Sequence, residues 1–183
     1  FSLIHEAAYE LSYAQQMKVC SDTASAGSYL HGLEPMIMHR DLNSKNLLLA
    51  RPVTSRDDAV LVRLCDFGKA RIKEGPPSVA WPPMTSDVGE VYWMAPETHT
   101  TRYDEKIDIY SYGMVMYETF FSRIPLEDLH TESARAAVML GVRPELDLAL
   151  DSELEKLMQA CWRQAASTRP NFIAVVTTLA SLL

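Results

Sequence analysis

His39-Arg40-Asp41-Leu42-Asn43-Ser44-Lys45-Asn46 is the stretch on which the reading of this chain turns. It sets one carboxylate, Asp41, and one carboxamide, Asn46, close together in a loop, and a second carboxylate opens Asp66-Phe67-Gly68 shortly downstream. Asn46 and Asp66 carry hard oxygen donors suited to Mg²⁺, and Asp41 is a residue type that takes a proton from a hydroxyl. A lone Asp or Asn in a loop is usually a turn or cap residue. Order lifts these above that reading, because Ala95-Pro96-Glu97 follows in turn. Roughly fewer than one random chain in a million of this length would hold all three motifs.

Outward from that loop, the sequence reads as mostly helical. Ser12 and Gln15 have the spacing of a capping box, and Tyr13, Met17, Cys20, Ala24 and Gly27 recur at three and four residues, predicting an amphipathic helix that ends near Gly32. Two short apolar runs, Leu47 to Leu49 and Val60 to Cys65, flank a polar stretch and predict a small hairpin beside the loop. From Lys69 to Val88 the chain is rich in Pro, Ser and Thr, with Gly75-Pro76-Pro77 and Trp81-Pro82-Pro83 and no helical or strand period, which predicts a long surface loop. Ile107 to Phe121 is apolar nearly all round and predicts a helix buried through the middle of the molecule. Leu154, Leu157, Met158, Cys161 and Trp162 give a further amphipathic helix, with Ser152 and Glu155 as its expected capping box. A last helix puts Phe172, Val175, Val176 and Leu179 on one face.

With 183 residues, 48% of them hydrophobic, the chain supports one sizeable core, and residues 1–183 are expected to form a single domain. The net charge of −7 argues against a broad nucleic-acid or anionic-membrane surface. Cys20, Cys65 and Cys161 are odd in number and show no paired metal-ligand spacing, so they read as reduced, buried thiols, with an intracellular (cytoplasmic) location expected. The longest apolar run, around Ile109 to Tyr117, is too short to span a bilayer. The chain begins at Phe1 in what reads as mid-helix sequence, so an upstream extension is expected.

The His39 to Asn46 loop, Asp66-Phe67-Gly68 and Ala95-Pro96-Glu97 together resemble the protein kinase pattern, and the match covers its helical C-terminal lobe. The resemblance implies ATP and Mg²⁺ as cofactors, a protein substrate, and a missing N-lobe as partner. It makes Asp41 the base for the acceptor hydroxyl, Asp66 and Asn46 the Mg²⁺ ligands, and Leu48 the floor under the adenine. Lys45 stands where tyrosine kinases commonly carry a basic residue, and is assigned to the transferred phosphate or the substrate, against the plainer reading of a solvated surface Lys. Arg40 is the expected sensor of a phosphorylated activation loop, with Ser78, Thr85 and Ser86 as candidate switch sites. Three further roles are structural: Glu97 with Arg169 as a buried ion pair, Asp108 as the carboxylate that bonds the catalytic-loop backbone, and His39 with Phe67 as part of a hydrophobic column.

Val91-Tyr92-Trp93-Met94-Ala95-Pro96-Glu97 and Arg169-Pro170-Asn171-Phe172 look most like the tyrosine-kinase-like group, whose members mostly modify Ser and Thr. Four departures stand out. Asn43 replaces the Lys that serine/threonine kinases place two positions after the Asp, Glu90 replaces a Thr, Ser122 replaces a Gly, and Ala165-Ala166 replaces Asp-Pro. A carboxylate at 90 either repels Asp41 or pairs with Lys45. None of the seven Gly residues stands two positions from another, so the chain holds no Gly-x-Gly phosphate loop. This lobe alone is therefore not expected to turn over. The reading is an ATP-dependent protein kinase represented by its C-lobe. The alternative is a non-catalytic, kinase-like interaction module.

Overall fold

A helical turn, α1 (Ser2–His5), leads to α2 (Tyr13–His31), whose start is fixed by Ser12. Its hydroxyl accepts from the Gln15 N–H while the Gln15 side chain accepts from the Ser12 N–H at 3.0 Å, the reciprocal box that the sequence predicts. The computed structural model describes residues 1–5, 10–73, 85–86, 89–146 and 150–183. The two Pro-Pro clusters and Ser78 lie outside the described residues. Met17, Cys20, Ala24 and Gly27 of α2 face inward as expected, whereas Tyr13 is half exposed. Gly27 permits the closest approach in this layer, since a Cβ there would come within 2.5 Å of the Phe172 ring.

Four short strands follow: β1 (Ile37–Met38), β2 (Leu47–Leu49), β3 (Val62–Leu64) and β4 (Arg71–Ile72). The β2–β3 pair is the expected hairpin, with Leu47 opposite Leu64 and Leu49 opposite Val62. The β1–β4 pair corrects the reading of Lys69 onward as loop alone: Met38 pairs with Arg71 and Ile37 with Ile72. Two-residue strands carry no period to be read, and this one is created by its partner.

The core forms around α3 (Lys106–Phe121), in which every residue except Lys106 and Ser111 is buried. Each Met or Phe side chain buried there contributes roughly 1.5–3 kcal/mol. The helix ends at Ser122, which takes the left-handed conformation (φ 52°, ψ 32°) that Gly adopts most readily. Beyond it lie α4 (Thr131–Met139), α5 (Ser152–Cys161) and α6 (Phe172–Ala180). α2 packs on α3 and α6, and α3 on α5. The capping residue of α5 is Asp151 rather than Ser152, because the Asp151 carboxylate accepts from the N–H groups of Glu153 and Leu154. On α6, Phe172, Val175 and Leu179 are buried and Val176 packs at the core margin. Cys20 and Cys161 are buried, while Cys65 is half-buried, so the expectation of three buried thiols holds for two. No described helix is long and apolar enough to cross a membrane.

An ion pair between a buried Arg and a partly buried Glu joins the middle of the chain to its end. Arg169 holds Glu97 in a two-pronged bond, with Nη2 2.9 Å from Oε2, and its remaining donors go to the backbone oxygens of Arg163, Lys106 and Gln164. The planar fork of donors makes this a job for Arg. Below it the Tyr110 ring lies between two guanidinium groups, those of Arg169 and Arg143, each 5.0 Å from its centroid.

Candidate active site

The loop from His39 to Asn46 hangs from a carboxylate of α3. Asp108, 1% exposed, accepts from the backbone N–H of His39 through Oδ2 and of Arg40 through Oδ1, both at 2.8 Å, and Oδ2 also meets Nε2 of His31 at 2.9 Å. Arg40 sits at φ 66°, a conformation that disfavours side chains with a Cβ. A second buried carboxylate of α3, Glu118, takes the other end of the loop. Its Oε1 accepts from the Ser44 hydroxyl and lies 2.7 Å from Nε2 of His5, while Oε2 accepts from the Trp93 indole at 2.9 Å.

Between these supports the loop folds on itself. Asn43 caps a short turn over Ser44–Asn46 by accepting from the Lys45 N–H, and its Nδ2 donates to the backbone oxygen of Asp41 at 3.0 Å and to Oδ1 at 3.2 Å. Asn46 donates through Nδ2 to the Asp41 backbone oxygen at 2.8 Å and to Oδ2 at 3.2 Å. Asp41 is thereby fixed by two amides, 6% exposed. Gly89, at φ 120°, lies across from it; a Cβ there would stand 3.1 Å from the Arg40 oxygen and 3.7 Å from Asp41 Oδ1. A small recess bounded by Asp41, Gly89, Glu90, Trp93 and Met94 opens at this point.

Asp66 arrives through the hairpin. The Cys65 N–H bonds the Asn46 oxygen at 2.9 Å, extending the β2–β3 ladder by one step, and Asp66 follows in the left-handed region at φ 60°. Asp tolerates that region better than most residues. Oδ1 of Asp66 accepts from the Gly68 N–H at 3.1 Å. Burial pushes the Cys65 thiol up, with the Asp66 charge adding to it. The Phe67 ring meets His39 edge-on at 5.1 Å between centroids and is 48% exposed on its other side. Leu48 points outward from the hairpin, 54% exposed, so it is not the core residue that an isolated Leu would be by default. It borders an apolar cavity of about 240 Å³ shared with Ile4, Leu47 and Val62.

Lys45 bonds Glu90 rather than Asp41. Its Nζ lies 3.3 Å from Glu90 Oε2 and 5.9 Å from the Trp93 ring centroid, so of the two outcomes open for Glu90 the pairing is the one present. The ammonium on Asp41 belongs instead to Lys69, which donates to Oδ2 at 2.9 Å. Nothing in the local pattern marks Lys69 beyond its place after Gly68. Thr85 is exposed, and its backbone oxygen accepts from the Tyr103 hydroxyl at 2.6 Å; Ser86 is half-buried. Burial raises the Tyr103 hydroxyl, with Arg40 and Arg71 acting in the opposite direction.

The residues fit a divalent cation. Both amide protons of Asn46 that bond do so with Asp41, leaving Oδ1 without a partner among the described residues, and Asp66 keeps Oδ2. Two protein oxygens with one formal charge suit Mg²⁺, which retains waters and takes further ligands from phosphates.

A helical lobe hung on a buried helix, with Asp41, Asn46 and Asp66 presented from two adjoining loops, is the arrangement of the helical C-terminal lobe of a protein kinase. The chain belongs to the protein kinase family, matching "Protein tyrosine and serine/threonine kinase" over residues 2–179. It is 32% identical over its full length to the RGS domain-containing serine/threonine-protein kinase A of Dictyostelium discoideum, covering 15% of that protein. It is 33% identical over its full length to the serine/threonine-protein kinase TNNI3K of Mus musculus, covering 21%. With the dual specificity protein kinase splA of Dictyostelium discoideum the identity is 34% over 90% of this chain and 7% of that one. The chain thus spans at most about a fifth of the length of these three relatives, and its resemblance within the family is to the tyrosine-kinase-like group.

Proposed function

We propose that the complete protein transfers the terminal phosphoryl group of Mg²⁺-ATP to a Ser or Thr hydroxyl of a protein substrate, with this lobe carrying the base, the metal donors and the acceptor platform. Kinases use ATP and Mg²⁺ in general. The observation that carries the reading is the fixing of Asp41 by the Asn43 and Asn46 amides opposite Gly89, where the missing Cβ leaves room at Oδ1. Such transfer needs little covalent work from the protein; positioning and charge neutralisation supply most of the acceleration.

Asp41 orients the acceptor hydroxyl and receives its proton. Asn46 and Asp66 would hold Mg²⁺, which would supply neutralisation of phosphate charge. Leu48 gives a nucleobase an exposed apolar surface, and the named serine/threonine relatives support the acceptor class. Residues 1–183 act as one lobe of a kinase domain in an intracellular protein. In the complete protein, Asp41→Asn is expected to lower kcat by about 10²-fold or more, and Asp66→Asn to abolish Mg²⁺-dependent nucleotide binding. Full phosphotransfer by the Asp41→Asn variant would refute the role of the base. Absence of any nucleotide binding by the wild-type protein would favour the interaction module instead.

A further inference from the structure

The acceptor positions on Asp41 can be counted. An ionised carboxylate offers about four. Oδ2 accepts from Lys69 Nζ at 2.9 Å and Asn46 Nδ2 at 3.2 Å, and Oδ1 accepts from Asn43 Nδ2 at 3.2 Å. Among the described residues one position is left, on Oδ1, the oxygen that faces Gly89. An acceptor hydroxyl therefore fits without displacing Lys69, and the ammonium does not mask the base.

Neither catalytic-loop candidate supplies positive charge here. Asn43, two positions after Asp41, is a neutral amide with both ends engaged, 1% exposed. Lys45 is paired with Glu90. Lys69 reaches in from the other loop, and its position is built rather than incidental. The β1–β4 pairing sets Met38 opposite Arg71, which brings the chain two residues before Arg71 alongside the chain two residues after Met38. The Ala70 N–H bonds the Phe67 oxygen at 3.0 Å, closing the turn that aims Lys69 back toward Asp41. Its side chain is 41% exposed, so the ammonium stands at the surface where a substrate arrives.

We propose that Lys69 is the cation of the transfer step, doing from beyond Asp66-Phe67-Gly68 what a lysine at position 43 would do from the catalytic loop. The inference rests on the phosphotransferase reading above. In that step the acceptor oxygen forms a bond to the terminal phosphorus of the nucleoside triphosphate. The bond from this phosphorus to the bridging oxygen breaks, and the nucleoside diphosphate leaves with that electron pair. The hydroxyl proton passes to Asp41 Oδ1. Negative charge is spread over the phosphoryl oxygens throughout, and an ammonium with one donor anchored on Oδ2 keeps two donors for them.

The test uses the complete protein with Lys69→Met, Lys69→Arg, Lys69→Met combined with Asn43→Lys, and Asp41→Asn. Lys69→Met is expected to lower kcat by about 10²-fold, with KM for ATP changed by less than about threefold. Lys69→Arg retains about a tenth of kcat or more, and adding Asn43→Lys to Lys69→Met recovers about tenfold, which a merely structural contact would not do. Independently of turnover, acetylation of Lys69 in nucleotide-free protein, followed by peptide mass spectrometry against Lys156 as reference, is expected to speed up about threefold in Asp41→Asn. A Lys69→Met enzyme within threefold of wild-type kcat, beside an inactive Asp41→Asn, overturns the inference and leaves the phosphotransferase reading standing. Equal acetylation in both proteins overturns the ion pair itself. A wild-type protein without phosphotransfer or nucleotide binding overturns both.

Discussion

Oδ1 of Asp108 receives the backbone N–H of Arg40 at 2.8 Å, and Arg40 is held at φ 66°. The carboxylate holds a residue in a conformation it would otherwise leave, and it does so from the first turn of a buried helix. Asp108→Ala removes the acceptor for two buried N–H groups and the partner of His31. Urea unfolding is expected to show a loss of roughly 3 kcal/mol or more, with Asp108→Asn losing less. A change under about 1 kcal/mol for the Ala variant would contradict this account.

Ser122 closes α3 in the left-handed conformation at a position where Gly is common among kinases. A side chain there costs roughly 1–2 kcal/mol, part of which the greater freedom of Gly in the unfolded chain offsets. Ser122→Gly is therefore expected to stabilise the lobe by about 0.5–1 kcal/mol. A thermal melt that shifts downward would show that the Ser hydroxyl contributes something its geometry does not reveal.

The Tyr110 hydroxyl is buried with no hydrogen-bond partner among the described residues, though its ring is gripped by Arg143 and Arg169. Burial raises the hydroxyl well beyond its ordinary range, the two guanidinium groups pulling it back in part. Tyr110→Phe keeps the ring and removes the unpaired group, so it is expected to be neutral or stabilising by up to about 1 kcal/mol. Arg169→Met, by contrast, strands Glu97 and is expected to cost about 3–5 kcal/mol. Chemical denaturation of the two variants side by side separates these outcomes.

Burial pushes the thiols of Cys20 and Cys161 up to about 12, from an ordinary 9.0. Below pH 9 folded and unfolded chains hold the same thiol protons. Above it the unfolded chain releases protons that the folded chain keeps, so stability falls as pH rises toward 12, with a slope for each thiol that grows from about 0.7 kcal/mol per pH unit at pH 9 toward a limit of about 1.4. Unfolding free energies between pH 9 and 10 are expected to decline in this way, and less steeply once Cys20 and Cys161 are both Ala. An unchanged slope in that double variant would assign the decline to other groups.

Much of this architecture is written in runs of consecutive residues. The Ser12 cap, the hairpin and the apolar helix through Ile107 to Phe121 are all legible because each depends on a local pattern. α4 is not, because Ala134 and Val138 are its only buried residues and make too thin a stripe. The cap of α5 is displaced by one position because Asp151 and Ser152 are adjacent and both are good caps. Asp41, Asn46 and Asp66 stand out through motif order, yet the ammonium on Asp41 does not, because a Lys after a Gly carries no signature until β1 and β4 pair. Glu118 is traceable on the same ground as Asp108, since a carboxylate among the apolar residues of a buried helix needs buried partners.

Those partners give α3 a further property. Asp108 carries one end of the His39 to Asn46 loop, while Glu118, ten residues on, carries Ser44 at the other end together with Trp93. Ten residues of α-helix make a strut of about 15 Å. The two ends of the loop that holds Asp41 are thus gauged against a single rigid ruler, and a force that tilts this helix displaces both in concert instead of spreading them apart.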